Sequence, residues 1–278
     1  MMESFELVLD DNLVIRGNVH VAETFEKQPV LLFCHGFKGF KDWGSFPYAA
    51  EQFAKRGIAT IRFNFSCNGV GASLTEFDEL EKFGVNTFAR EIADLRALVA
   101  AIESGDVPFA SRFDLDNLFL LGHSKGGGDA ILFGANHPKV KGIITWNGIS
   151  NVNLFDENLR KQIAENGVGY ILNGRTGQNM PITDVVIKDV DEHKQEYDLL
   201  AKAAGMKQLH LIVQGDQDFP RLVAGAKAMK EASPQAELHW IIGGDHTWNT
   251  KHPFAGTTDA LEEAIEVSAN YIRKHSSR

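Results

Sequence analysis

Short continuous apolar runs alternate along this sequence with stretches of helical periodicity, and that alternation constrains the fold more than any other feature. Val30–Cys34, Ile58–Phe63, Leu118–Leu121, Val140–Trp146, Leu209–Val213 and Leu238–Ile242 are too short for buried helices and end in glycine or polar loops. Such runs suit strands buried on both faces of a parallel sheet. Between them, Tyr48–Arg56, Val85–Ile102, Lys125–Ala135, Leu222–Ala232 and Thr258–Lys274 carry apolar residues at helical spacing, for example Phe88, Ile92, Leu95, Val99 and Ile102. Ahead of them, Phe5–Leu9 and Leu13–His20 alternate around Asp10-Asp11-Asn12 and predict a β-hairpin. The expectation is an α/β fold: a mostly parallel, twisted sheet of about eight strands with helices on both faces.

The alternation breaks once, between Asn151 and Gly205. There Tyr170-Ile171-Leu172 and Val185-Val186-Ile187 flank the turn-rich segment Asn173-Gly174-Arg175-Thr176-Gly177, which predicts a hairpin. With no repeat, low-complexity tract or linker, the expected organisation is one domain, 1–278, carrying a small cap insertion, 151–205, over the carboxyl edge of the sheet.

Composition removes several classes of function. At 44% hydrophobic residues the chain has ample apolar surface to bury, so disorder is excluded. A formal net charge of −9 without a basic run argues against nucleic acid or an anionic membrane as partner. No apolar stretch is long enough to span a bilayer. The start, Met1-Met2-Glu3-Ser4, lacks a basic segment followed by an apolar one, so no secretory signal is expected. Two cysteines, Cys34 and Cys67, make no disulfide framework, and free thiols in the cytoplasm are the preferred reading.

Gly122-His123-Ser124-Lys125-Gly126 matches G-x-S-x-G. The match is weak alone, but it follows an apolar strand and opens a helix, the setting a nucleophile elbow requires. Gly122 and Gly126 leave room for a sharp turn, and Ser124 projects its hydroxyl near a helix N-terminus. A phosphate-cradling loop would need Gly-Lys-Ser/Thr or G-x-G-x-x-G, and neither is present. A serine hydroxyl needs a base and the base an orienting carboxylate. His246 follows the last apolar run directly and therefore shares the sheet edge of Ser124. Asp216 and Asp218 follow the penultimate run, and either could serve as the acid; Asp218 is preferred, with Asp216 and Asp245 as turn residues. Developing negative charge needs two amide donors. Lys125 supplies one, and Phe37, in His35-Gly36-Phe37 after Val30–Cys34, supplies the other, leaving both side chains free to vary.

With these residues in place the sequence resembles the α/β-hydrolases over nearly its whole length. His35-Gly36-Phe37, Arg62-Phe63-Asn64-Phe65 with Gly69-Val70-Gly71-Ala72-Ser73, Gly122 to Gly127, Gly215 to Asp218 and Gly244 to His246 occur in that superfamily's order. Within it the chain is similar to small intracellular bacterial carboxylesterases, including the cinnamoyl and feruloyl esterase type. The resemblance implies the acid three residues after Gly215, hence Asp218, and a substrate pocket formed by the insertion. Ser66-Cys67-Asn68-Gly69 departs from the arginine-glycine-histidine-glycine pattern of those enzymes.

The sequence therefore predicts a serine hydrolase cleaving a carboxylic ester through an acyl-enzyme, with Ser124, His246 and Asp218 as the catalytic triad and the Phe37 and Lys125 amides as the oxyanion hole. No cofactor and no metal are expected; Asp189, Asp191, Glu192 and His193 are read as a solvated helix start. The expected partner is a small-molecule ester. The same machinery would serve a thioesterase or peptidase, and a non-catalytic binding protein of this fold is the alternative from another class.

Overall fold

A computed structural model describes residues 1–10 and 12–276. The elements are β1 (Met2–Val8), β2 (Val14–His20), β3 (Gln28–Cys34), α1 (Phe46–Lys55), β4 (Ala59–Asn64), α2 (Leu80–Gly84), α3 (Phe88–Ser104), β5 (Phe113–His123), α4 (Lys125–Gly134) and β6 (Val140–Trp146). They continue with α5 (Glu157–Asn166), β7 (Val168–Leu172), β8 (Asn179–Thr183), α6 (Asp184–Glu192), α7 (Leu199–Gly205), β9 (Leu209–Gly215), α8 (Pro220–Ala232), β10 (Glu237–Ile241) and α9 (Asp259–His275). The main sheet has the order β1-β2-β4-β3-β5-β6-β9-β10. β2 runs antiparallel to β1 and β4, and the other pairings are parallel. Asp11, at the tip of the predicted hairpin turn, lies outside the described residues.

The two-residue period of the strands divides the core in two. Along β3, Val30, Leu32 and Cys34 face one layer with Leu95, Leu98, Ile131 and Leu222 of α3, α4 and α8. Leu31 and Phe33 face the other, with Phe46 and Phe53 of α1 and Leu261, Ile265 and Ile272 of α9. β5 repeats this: Leu118 and Leu120 go one way, Phe119 and Leu121 the other. The central runs Val30–Cys34 and Leu118–Leu121 are apolar throughout because both of their faces are covered.

Several boundaries differ from the sequence reading. Helix α3 starts at Phe88, not Val85, because Thr87 Oγ1 accepts the Arg90 amide at 3.0 Å and caps it; Gly105, at φ 83°, ends it. β5 extends back through Asp114, Asp116 and Asn117, whose polarity hid the strand. β10 ends at Ile241, and Ile242 is exposed.

The interval 151–205 contains the two-stranded hairpin β7–β8, but its second strand is Asn179–Thr183 rather than Val185–Ile187. Val185–Ile187 opens α6, where Val186 and Val190 fall one helical turn apart and are buried. Asp189 to His193 accordingly forms the end of a helix, not its start. Asp189 is buried and accepts a hydrogen bond from the Tyr197 hydroxyl at 3.2 Å. Phe155, Leu159, Ile163, Met180 and Ile182 of this interval pack with Phe40, Val70, Phe77 and Phe83 into a third apolar cluster above the carboxyl ends of the strands.

Candidate active site

Parallel strands deliver the loops after β3, β5, β6, β9 and β10 to one edge, and the sequence-predicted residues all stand there. Ser124 joins β5 to α4 with φ 57° and ψ −120°, a conformation that a non-glycine residue holds only under constraint. The constraint is close packing. A Cβ on Gly122 would collide with the Gly126 carbonyl, and one on Gly126 with the carbonyl of Cys34. The end of β3 is thereby pressed against the elbow, and a Cβ on Gly36 would stand 3.0 Å from Ser124 Cβ.

His246 Nε2 lies 3.1 Å from Ser124 Oγ, and its Nδ1 lies 2.9 Å from Asp218 Oδ1. The Asp218 carboxylate is fully buried, whereas the His246 side chain is 24% exposed and open to solvent water. Asp218 also accepts the Phe219 amide at 2.6 Å and Gln214 Nε2 at 3.0 Å, so both oxygens are fixed. Asp216 accepts the Gly243 amide at 2.7 Å instead, tying two loops together away from His246. Asp245 accepts the Thr247 and Asn249 amides at 2.8 and 2.7 Å, a turn role.

Three further residues support the site: Asn147, which the sequence places at the end of a strand on the pocket edge, His123, expected to pack locally at the elbow, and Gln214, which the sequence did not single out. Asn147, fully buried at φ 48°, donates to the carbonyls of Asp245 and His246 at 3.0 and 3.1 Å and accepts the Gly215 amide at 2.8 Å. It clips the acid loop to the histidine loop. Its signal in the sequence is a polar residue directly after β6, on the edge that carries Ser124. Gln214 steadies the acid. His123 is buried with Nε2 2.7 Å from the His246 carbonyl, which assigns the proton to Nε2. Burial, aided by the nearby His246, lowers its pKa to about 3, so it donates as a neutral ring. Trp146, by contrast, is core: its indole N–H donates to Ser268 Oγ at 2.9 Å.

His35 performs a matching service beneath Phe37. Burial lowers its pKa to about 4, and Nδ1 donates to the Gly36 carbonyl at 3.0 Å. Nε2 is left to accept from the Phe65 amide at 3.4 Å, joining the loops after β3 and β4. The amide of Lys125, at the first position of α4, has no acceptor within the helix and is free for a ligand.

The side chain of Lys125 is not free to vary, contrary to expectation. It is buried against Glu91 of α3 and Asp129 of α4, with its ammonium 4.0 Å from the Phe88 ring centroid. Burial opposes its charge, but Asp129 and Glu91 outweigh that and hold the ammonium above the usual lysine range. Burial and the charge of Glu91 drive the Asp129 carboxyl well up. Cys34 and Cys67 are free and buried, and burial raises both thiols. Among the described residues no cluster of His, Cys, Asp and Glu is arranged to hold a metal ion, and no helix is long and apolar enough to cross a membrane.

Ser124 and His246 line a cavity of about 200 Å³ with Phe37, Lys38, Trp43 and, from the β7–β8 turn, Asn173 and Arg175. Behind Phe37 and Lys125 runs a narrower slot of about 20 Å³ walled by Phe83, Phe88, Phe155 and Val186.

The sheet order and the helix layers define the α/β-hydrolase fold, and solved structures agree. Est1E from Butyrivibrio proteoclasticus superposes with a TM-score of 0.69 at 16% identity, over 98% of each chain. The esterase domain of a Rhodothermus marinus protein gives 0.67 at 15%, over 99% of this chain and 98% of that one. DcsB, solved with its substrate analogue, gives 0.73 at 17%, over 99% of this chain and all of that one. More narrowly, the chain belongs to the hydrolase family described as serine aminopeptidase, S33, whose model matches residues 26–165. No curated protein matches the sequence.

Proposed function

We propose that this protein is a serine hydrolase of carboxylic esters. The observation that carries the reading is the unbroken hydrogen-bond chain from Ser124 Oγ through His246 to the buried Asp218. Ser124 attacks the acyl carbon while His246 Nε2 takes its proton. Asp218 holds Nδ1–H and stabilises the imidazolium. The Phe37 and Lys125 amides bind the oxyanion. His246 then protonates the departing alcohol, and a water deprotonated by the same ring releases the acyl group. No step calls for a cofactor. The interval 151–205 acts as the cap of a single domain and lines both the cavity and the slot. Two buried free thiols fit a reducing, cytoplasmic setting.

The names of the structural neighbours favour an ester, and the family description favours an amide. Both are arms of one experiment. A p-nitrophenyl ester series from acetate to octanoate, a hydroxycinnamate ester, a matched thioester and an anilide are assayed with wild type and Ser124→Ala. Ester turnover that disappears in Ser124→Ala is the expected result. A folded wild type that ignores both the esters and a fluorophosphonate probe overturns it in favour of a binding protein; labelling with turnover confined to the thioester or anilide moves the substrate class.

A further inference from the structure

The cavity at Ser124 is lined by two cations that lack counter-ions. Lys38 follows Phe37 directly and holds φ 56°, outside the ordinary range for a side chain of its kind. Arg175 comes from the β7–β8 turn. Among the described residues neither forms an ion pair with a carboxylate, although acidic residues outnumber basic ones in the chain, 37 to 28. Their own bonds go to backbone carbonyls: Lys38 Nζ to Leu172 at 3.4 Å and the Arg175 guanidinium to Lys38 at 3.3 Å. Arg175 also lies over the Phe40 ring, 5.5 Å from its centroid. Desolvation and the positive charge of Arg175 together push the Lys38 pKa down, the behaviour of a cation placed beside another cation. His252, the titratable ring packed edgewise with Phe40, is lowered as well, by burial and by Arg175, and brings no negative charge.

A third donor stands in the same cavity. Asn173 is only 3% exposed, and its Nδ2 is buried without a hydrogen-bond partner. Its orientation is fixed, because Oδ1 accepts the Arg175 amide at 3.1 Å and only the oxygen of a side-chain amide can accept. A buried donor left unpaired destabilises a fold, so its retention calls for a ligand acceptor. An ammonium, a guanidinium and an amide N–H around one cavity are three donors and no acceptor. That is the chemistry of an anion site.

The geometry points to a substrate that carries, besides the bond cleaved at Ser124, an anionic group seated on Lys38, Arg175 and Asn173. The inference rests on the serine hydrolase reading and names the substrate class within it. Carboxylate and phosphate share the required chemistry, and the planar guanidinium suits either.

Three sets of esters test this. On the alcohol side, 3-carboxyphenyl acetate is compared with its neutral isostere 3-carbamoylphenyl acetate; on the acyl side, the mono-p-nitrophenyl ester of glutaric acid with that of glutaramic acid. A phosphate in place of the aryl carboxylate separates the two anions. The readout is the ratio of kcat/KM for the charged over the neutral member, in wild type, Arg175→Gln, Arg175→Lys and Lys38→Gln. On one of the two sides wild type is expected to favour an anion by about tenfold or more. Arg175→Gln should erase about tenfold of that ratio, Arg175→Lys should keep part of it, and added salt should shrink it. A ratio at or below one on both sides overturns the inference, as does a ratio that Arg175→Gln leaves unchanged, since a purely structural turn residue would lower both members alike. Neutral-ester turnover through Ser124 without charge preference sinks this inference alone; turnover that survives in Ser124→Ala removes it together with the proposed function.

Discussion

At the residue scale, roles divide between two aspartates that both follow β9, of which the sequence favours Asp218 as the acid. Asp218 reaches His246, and Asp216 ties the Gly243 amide into its turn. Asp218→Asn should lower kcat about 10³- to 10⁴-fold by presenting the wrong hydrogen-bond pattern to Nδ1, with the fold retained. Asp216→Asn should stay within about tenfold of wild type and act mainly on stability. Steady-state kinetics beside thermal melts decide this, and an inactive Asp216→Asn next to a fully active Asp218→Asn would reverse the assignment. Asn147 belongs to the same scale. Its three bonds fix the carbonyls and amide that set the height of His246 over Ser124. Asn147→Ala should cut kcat by about tenfold to a hundredfold with KM little changed, because a base displaced by a fraction of an ångström transfers protons poorly. A rise in KM at constant kcat would assign Asn147 to substrate binding instead.

At the element scale, α3 and α4 meet through charges as well as through Leu95, Leu98 and Ile131. The apolar stripe of α3 was legible, but Glu91 and Asp94 on the same helix are buried too. Asp94 accepts the Ser66 amide at 2.7 Å and the Ser66 hydroxyl at 3.0 Å, and burial raises its pKa to about 6. Glu91, Lys125 and Asp129 make a buried group with one cation and two acids, balanced by the proton that the raised Asp129 favours. Asp129→Asn copies that protonated form and should change stability by only about 1 kcal/mol. Glu91→Ala removes the charged partner of Lys125 and leaves only Asp129, which must give up its proton to take that place, and should cost about 3 kcal/mol. Urea unfolding at neutral pH measures both. A larger loss in Asp129→Asn than in Glu91→Ala would mean that the proton sits on Glu91.

For the whole molecule, buried histidines set the response to acid. Burial lowers His20, His35 and His210 to about 4 and His123 to about 3, from an ordinary 6.5. The unfolded chain binds these protons as pH falls below 6.5, while the folded chain refuses them until about 4 or below, so stability should fall with acid across that window. Each histidine contributes a slope of about 1.4 kcal/mol per pH unit. Asp94 and Asp129, raised in the fold, act in the opposite sense but are outnumbered. His210 isolates one share, because neither ring nitrogen has a partner. His210→Phe should flatten the slope between pH 6 and 4 by about one histidine's worth, read from melts at a series of pH values. An unchanged slope would mean that His210 is protonated in the native state.

The sequence by itself determined the strands of the main sheet and the five helices α1, α3, α4, α8 and α9 that alternate with them, the elbow around Ser124 and the positions of His246 and the candidate acids. Those features are local: apolar runs, glycines where backbones touch, and residues directly after a strand on a shared edge. Tertiary structure decided what depends on neighbours distant in the chain. It moved the second strand of the hairpin to Asn179–Thr183, because Pro181 and its flanks pair with Val168–Leu172, while Val186 and Val190, on one face of a helix, are buried against the third apolar cluster and the main core respectively. It showed that the Lys125 side chain answers to Glu91, 34 residues earlier, and that Asn147 answers to Asp245 and His246, 98 and 99 residues later. It also brought Arg175 against Lys38 across 137 residues. Pairings across such separations leave no periodic trace, because only the assembled sheet brings their partners within hydrogen-bonding reach.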